Sequence, residues 1–243
     1  MALMSLTVSE PKDPVVLSYR ALRKAVGIVA VALPFALVIP YLSYHVPPVI
    51  QGSLSAYYYT DLRNVFVGSL CAIAMFMLCT RGYDKRDERA GFLAAICAIG
   101  VAFFPMDPEK IDYKVTCATD VPCLHLYPLH FVFASILFAT LGYFCLWLFR
   151  ISVAHPTKRK LQRNRIYTVC GVTIYTAMAV EFLLDQGKLE RFLSPWLHGH
   201  HLLVIEVISL WAFGYAWLVK GEAFFKDVLP KSQPNRTTDD LAP

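Results

Sequence analysis

The residues able to do chemistry in this chain are histidines and carboxylates, and they collect beside or inside apolar stretches. His130 opens one apolar run, and the segment His-Gly-His-His ends on His198, His200 and His201 just before another. Glu181 and Asp185 stand four apart, a spacing that puts both on one face of a helix, and Glu206 lies within the last apolar run. Three chemistries fit these types. His130, His198 and His201 with a carboxylate suit a divalent metal, zinc above all, because imidazole nitrogens and carboxylate oxygens are its preferred tetrahedral donors. A zinc-bound water becomes a nucleophile near neutral pH, with Glu206 or Asp61 as the acid/base. Alternatively, Glu181, Asp185 and Glu206 form a relay for a proton or cation. In the third reading the same groups only hydrogen-bond helices together, with Glu181 and Glu206 protonated or paired to Arg63 or Arg191. His-Gly-His-His is not the HExxH helix motif, so the pattern alone leaves these open.

The segment between the first two apolar runs, HVPPVIQGSLSAYYYTDL at 45–62, adds further candidates. Pro47-Pro48 ends any helix continuing from the first run. Ser53 and Ser55 follow, then Tyr57, Tyr58 and Tyr59, which read as interfacial rings at headgroup depth or as a lid over a pocket. Asp61 and Arg63 open the second run, as an exposed ion pair or with Arg63 binding a phosphate or carboxylate. Cys117 and Cys123 share an outer loop, where a disulfide is expected if the compartment is oxidising. The other five cysteines, Cys71, Cys79, Cys97, Cys145 and Cys170, read as buried small hydrophobes.

What must position these groups is a membrane. Of 243 residues, 56% are hydrophobic and 17% charged, with a mean hydropathy of +0.48. That is too little charge for an ordinary soluble domain. Spans of roughly 20 apolar residues are needed to cross a bilayer. The sequence predicts six, at about 26–44, 64–80, 90–105, 128–149, 166–185 and 201–219, with Pro34 and Pro40 kinking the first. The third is short and closed by Pro105. Of 23 Lys and Arg, 18 fall in the N-terminal segment, the 81–89 and 150–165 connectors and the C-terminal segment. Positive charge marks the cytoplasmic side. The expected architecture is therefore an all-α six-helix transmembrane bundle with both termini cytoplasmic. It comprises a segment 1–25, a membrane domain 26–222 and a disordered tail 223–243. The net charge of +5 then reflects orientation and calls for no nucleic-acid partner. Membrane lipids are the expected partners, and the oligomeric state is left open.

With that orientation, the segments 44–62, 106–130 and 186–201 lie outside. They make up a quarter of the chain yet hold six of its seven histidines: His45, His125, His130, His198, His200 and His201. Glu181 and Glu206 both fall in the outer halves of their spans. Ionisable groups at such depth are costly and usually face a bundle interior or a wet cavity. Small residues in the second and third spans, Gly68, Ala74, Gly91, Ala94, Ala98 and Gly100 among them, predict close helix packing, and Gly214 does the same in the sixth.

The stretches SLSAYYYTDLRNVFVGSLCAIAMF, RGYDKRDERAGFLAAICAIGVAFFP and WAFGYAWLVKGE resemble a family of uncharacterised bacterial six-span membrane proteins. That resemblance implies the fold and a place in the bacterial inner (plasma) membrane, and no activity. A fainter similarity joins the chain to the superfamily of alkaline ceramidases and progestin/adiponectin-type receptors. It implies a zinc held by three histidines, an aspartate and a serine, acting on lipid amides. The positions of matching type are Ser55, Asp61, His130, His198 and His201. This chain departs from that pattern in having six spans where seven are usual, no spaced HxxxH pair, and Glu in place of some Asp. The leading expectation is a zinc-dependent hydrolase of a lipid or amphiphile at the extracytoplasmic face. Arg63 and Tyr58 would meet the substrate, with Tyr57 to Tyr59 flanking the mouth. The alternatives are a proton- or cation-coupled transporter or channel-like protein, and a non-catalytic lipid-binding scaffold.

Overall fold

The computed structural model describes residues 14–44, 50–79, 85–107, 126–151, 157–186 and 200–225. Among these residues the chain is all helical, with six α-helices and no strand. They are α1 (Pro14–Tyr44), α2 (Arg63–Cys79), α3 (Lys85–Phe103), α4 (Tyr127–Leu146), α5 (Lys158–Asp185) and α6 (His201–Lys220). Four of them, α1, α4, α5 and α6, are long and apolar enough to cross a membrane. α2 is apolar but shorter. α3 opens on five consecutive charges, Lys85 to Arg89, and only its later turns are apolar. Large apolar side chains point outward all along the bundle, including Ile28, Phe35, Phe92, Val169 and Phe182. Outward apolar faces of this extent suit a hydrocarbon surround, so the fold is compatible with an integral membrane protein.

The helices pack in ring order, each against its sequence neighbour, and α6 closes the ring on α1. Neighbours run antiparallel. Trp211 Nε1 donates to the Val31 carbonyl at 3.1 Å, while Arg20 meets Glu222 at 2.8 Å further along the same pair. Tyr175 Oη donates to the Ala139 carbonyl at 2.8 Å between α4 and α5. The bundle therefore has two ends. One gathers the end of α1 with the starts of α2, α4 and α6, and carries the expected chemistry. The other gathers the basic connectors.

α1 and α6 approach closely. A Cβ on Gly27 would sit 2.8 Å from the Gly214 carbonyl, and one on Gly214 would sit 2.8 Å from Val31 Cγ2. Small residues let backbones meet where dispersion, and not water exclusion, must hold helices together. Gly100 serves α3 against Phe133 of α4 in the same way. Gly68, expected to pack, faces open space, because the buried face of α2 is set by Phe66, Leu70, Ile73 and Met77.

Other expectations change too. α1 begins at Pro14, well before the apolar run, because its polar first turns have partners: Arg20 pairs with Glu222 and Arg23 donates to Tyr19 Oη at 2.9 Å. Pro34 and Pro40 both lie inside it, where the sequence places its kinks. Cys97, Cys145 and Cys170 are buried as expected, whereas Cys71 is half-buried and Cys79 exposed at the end of α2.

Candidate functional site

Residues 50–60 do not form an open loop. They fold across one end of the bundle and are tied to three elements. Ser53 is fully buried. Its Oγ accepts the Ala56 amide at 2.9 Å, starting the short 3-10 helix Ser55–Tyr59, and donates to Met106 Sδ at 3.0 Å. Tyr59 Oη donates to the Met106 carbonyl at 2.6 Å. Burial, helped by neighbouring tyrosines and Asp107, raises the Tyr59 phenol well above its ordinary value, so it stays a donor. On the other side, Gln51 Nε2 donates to Tyr41 Oη at 2.8 Å, and the Tyr41 and Tyr57 rings meet edge to face with centroids 5.3 Å apart. The α6 end is joined by the Leu203 amide, which donates to the Gly52 carbonyl at 2.9 Å.

The centre of this arrangement is Glu206. It lies five residues into α6, roughly 7 Å from the helix start at 1.5 Å per residue. Its Oε2 accepts the Leu54 amide at 2.5 Å and its Oε1 accepts the Ser55 hydroxyl at 3.1 Å. Glu181 of α5 is close enough for its charge to act on Glu206. Thus an apolar helix carries a carboxylate whose two oxygens are engaged by neutral donors, with the charge of a second carboxylate acting on it and, among the described residues, no cation among its hydrogen-bond partners. The expected pairing of Glu206 with Arg63 is not formed. Arg63 instead donates to Tyr58 Oη and lies 4.2 Å above the Tyr58 ring. The guanidinium thus turns to the preceding 3-10 turn, and Asp61, exposed nearby, has no ion pair with it among the described residues.

His130 is buried, and its Nδ1 lies 2.7 Å from the Phe104 carbonyl. A carbonyl can only accept, so Nδ1 carries a proton, and in the neutral ring Nε2 keeps its lone pair. His201 is the first residue of α6 and is half-buried, and His200 precedes it with Nδ1 shielded from solvent. His198, His45, His125, Arg191 and the pair Cys117 and Cys123 lie outside the described residues. Among the described residues no three His, Cys, Asp or Glu side chains gather in a way that could hold a metal ion. Asp185 ends α5 one turn beyond Glu181, on the same face as the spacing predicts.

Of the expected site residues, the fold therefore joins Ser55 to Glu206, with Glu181 within electrostatic reach of the pair. It leaves Asp61 at the surface and pairs Arg63 with Tyr58. Tyr57, expected at the mouth, is fully buried, because the 3-10 turn directs it inward against Tyr41. The Leu54 amide was not anticipated. A backbone donor has no side-chain signature, and the only hint is the short, small-residue run Gly-Ser-Leu-Ser after Pro47-Pro48, which lets the chain approach a helix closely. Comparison with protein families, with curated proteins and with solved structures gives no match.

Proposed function

We propose that the chain is a six-span integral membrane protein with both termini cytoplasmic, acting as a proton- or cation-coupled transporter or channel-like protein. Its coupling site is the Glu206 and Glu181 pair at the extracytoplasmic end, and its moving part is the segment 50–60. One observation supports this above the others: Glu206 holds the segment down through the Leu54 amide and the Ser55 hydroxyl. An ionised carboxylate accepts both bonds strongly. Protonation removes the charge that strengthens both bonds and turns one oxygen into a weaker acceptor, which loosens the segment. Glu181 adds like-charge repulsion, which a proton or cation at the pair relieves. Ion uptake and segment release are then one event, and they give the two states that coupled transport requires.

The test is hydrogen exchange of residues 50–60 in the reconstituted protein, read beside ion flux into vesicles. The wild type should protect the Leu54 amide at high pH and lose protection on acidification. Glu206→Gln should exchange fast at every pH and abolish flux. A pH-independent exchange pattern in the wild type would sink this reading.

One observation favours the second reading, a zinc-dependent hydrolase of a lipid or amphiphile. The Phe104 carbonyl orients His130 with Nε2 available, the second-sphere arrangement usual for a ligating histidine. His201 and His198 would be its co-ligands, with Ser55, Asp61 and Glu206 supplying polar and acid/base groups, and the metal would supply an activated water. Metal content of the purified protein beside a His198→Ala/His201→Ala variant decides it. About one zinc per chain, lost in a variant that still folds, supports the hydrolase; none after zinc is offered removes it.

A further inference from the structure

The surroundings of Glu206 are built from donors. The Leu54 amide and the Ser55 hydroxyl each point a hydrogen at one of its two oxygens, at 2.5 and 3.1 Å. The acceptors of the same segment are engaged elsewhere. The Gly52 carbonyl takes the Leu203 amide at 2.9 Å, and the Leu54 carbonyl takes the Tyr57 amide at 3.2 Å. The Tyr57 carbonyl takes the Thr60 amide and hydroxyl at 3.2 and 2.8 Å. Ser53 Oγ accepts the Ala56 amide and gives its own proton to Met106 Sδ.

A metal cation and a proton ask different things of such a place. Hard cations exchange their water shell for a set of oxygen lone pairs, and within membranes unwound backbone carbonyls supply them. Here the segment beside the helix does the reverse. It turns N–H and O–H toward the carboxylate and spends its carbonyls on its own 3-10 turn and on α6. A metal cation arriving at Glu206 would meet positively polarised hydrogens and would have to displace both donors. A proton needs no shell. Delivered by water, it forms one O–H bond with a lone pair of either carboxyl oxygen, and the other oxygen remains an acceptor.

The titratable groups on the neighbouring elements fit this. α5 supplies Glu181, whose charge acts on Glu206, with Asp185 one turn further on. A like charge within reach favours taking up one positive charge. α6 itself carries His201, and α4 carries His130. α1, packed along α6, has no charged residue from Val26 to Tyr44, only the phenols of Tyr41 and Tyr44. The segment adds the phenols of Tyr57, Tyr58 and Tyr59.

We propose that the Glu206 site takes up a proton and excludes metal cations. This rests on the coupling role given to Glu206 above, and it names the ion.

The test uses the full chain in phosphatidylcholine nanodiscs. Infrared difference spectroscopy follows the C=O stretch of the protonated Glu206 carboxyl, identified as the band lost in Glu206→Gln. Titrations with pH run in the chlorides of sodium, potassium and calcium, against N-methylglucamine chloride of equal ionic strength. The band should titrate with one midpoint in all four. A cation competing at about a hundred times its dissociation constant would lower the midpoint by about two pH units. Such a fall in any one salt overturns the proposal and leaves ion coupling at Glu206 intact. A band that does not titrate overturns the proposal and the coupling reading together. A band that titrates alike in every salt, in a protein that carries no flux into vesicles, supports the proton site and removes the transport reading. Should Glu206→Gln not fold, Ser55→Ala assigns the band by shifting its frequency, because one hydrogen bond to the carboxyl is lost.

Discussion

α6 has a glutamate near each end, and the two make opposite use of it. Glu206, one turn inside the helix, is held by a backbone amide and a serine hydroxyl, with another carboxylate nearby. Glu222, two residues past the helix end, is held by Arg20 and Arg163. It also sits at φ 58, in the left-handed region that costs a non-glycine residue about 1–2 kcal/mol, and its ion pairs hold it there. Neutral donors leave the charge of Glu206 uncompensated, so adding a proton or cation changes what the residue can hold. Cationic partners fix the charge of Glu222, making it a structural tie between α1, α5 and the end of α6. The same side chain becomes a switch or an anchor according to its partners.

The largest effect should come from breaking the anchor. Glu222→Gln removes the carboxylate charge that Arg20 and Arg163 share, at a cost of about 2–3 kcal/mol, measurable as a lowered unfolding midpoint in detergent. High salt should shrink the difference between wild type and variant, because a partly exposed ion pair is screened. Equal midpoints for the two proteins would mean that Glu222 ties nothing down.

Glu206→Gln should cost less globally, about 1–2 kcal/mol, since Gln keeps one acceptor for one of the two donors. Its signature is local: faster exchange across residues 50–60 with little change around Arg163, and little dependence on salt. A loss spread through all six helices would instead make Glu206 an anchor like Glu222 and collapse the contrast between them.

Ser55→Ala sharpens the same point. It removes one neutral hydrogen bond, worth about 1 kcal/mol, and should partly release the segment. Combined with Glu206→Gln it should add less than its single effect, because both act on one bond. Full additivity would show that Ser55 matters through something other than Glu206. The smallest effect belongs to Tyr58→Leu, which strips Arg63 of its ring and hydroxyl at an exposed site, about 0.5–1 kcal/mol, and should leave exchange at Leu54 unchanged.

Much of this molecule follows from sequence alone. Apolar runs broken by charged connectors dictate helices, because a buried or lipid-facing backbone must satisfy its own hydrogen bonds. Glu206 and Glu181 stood out for a related reason: a carboxylate in an apolar run is costly enough to need a partner. The alanines of α3 marked a tightly packed face, and Ala94, Ala98 and Ala102 are fully buried. Which partner each polar group takes was decided only by the tertiary structure. Arg63 reads equally well as a mate for Asp61 or Glu206 until the 3-10 turn brings Tyr58 beneath it. Three consecutive tyrosines read alike until that turn buries Tyr57, ties Tyr59 to Met106 and leaves Tyr58 to Arg63. Glycines show the same division. Gly68 and Gly27 are equivalent as residue types, yet one faces open space and the other sets the α1–α6 crossing. Periodicity and composition are local properties and fix elements and their depth. Partners separated by 152 residues, such as Leu54 and Glu206, meet only when the ring of helices closes.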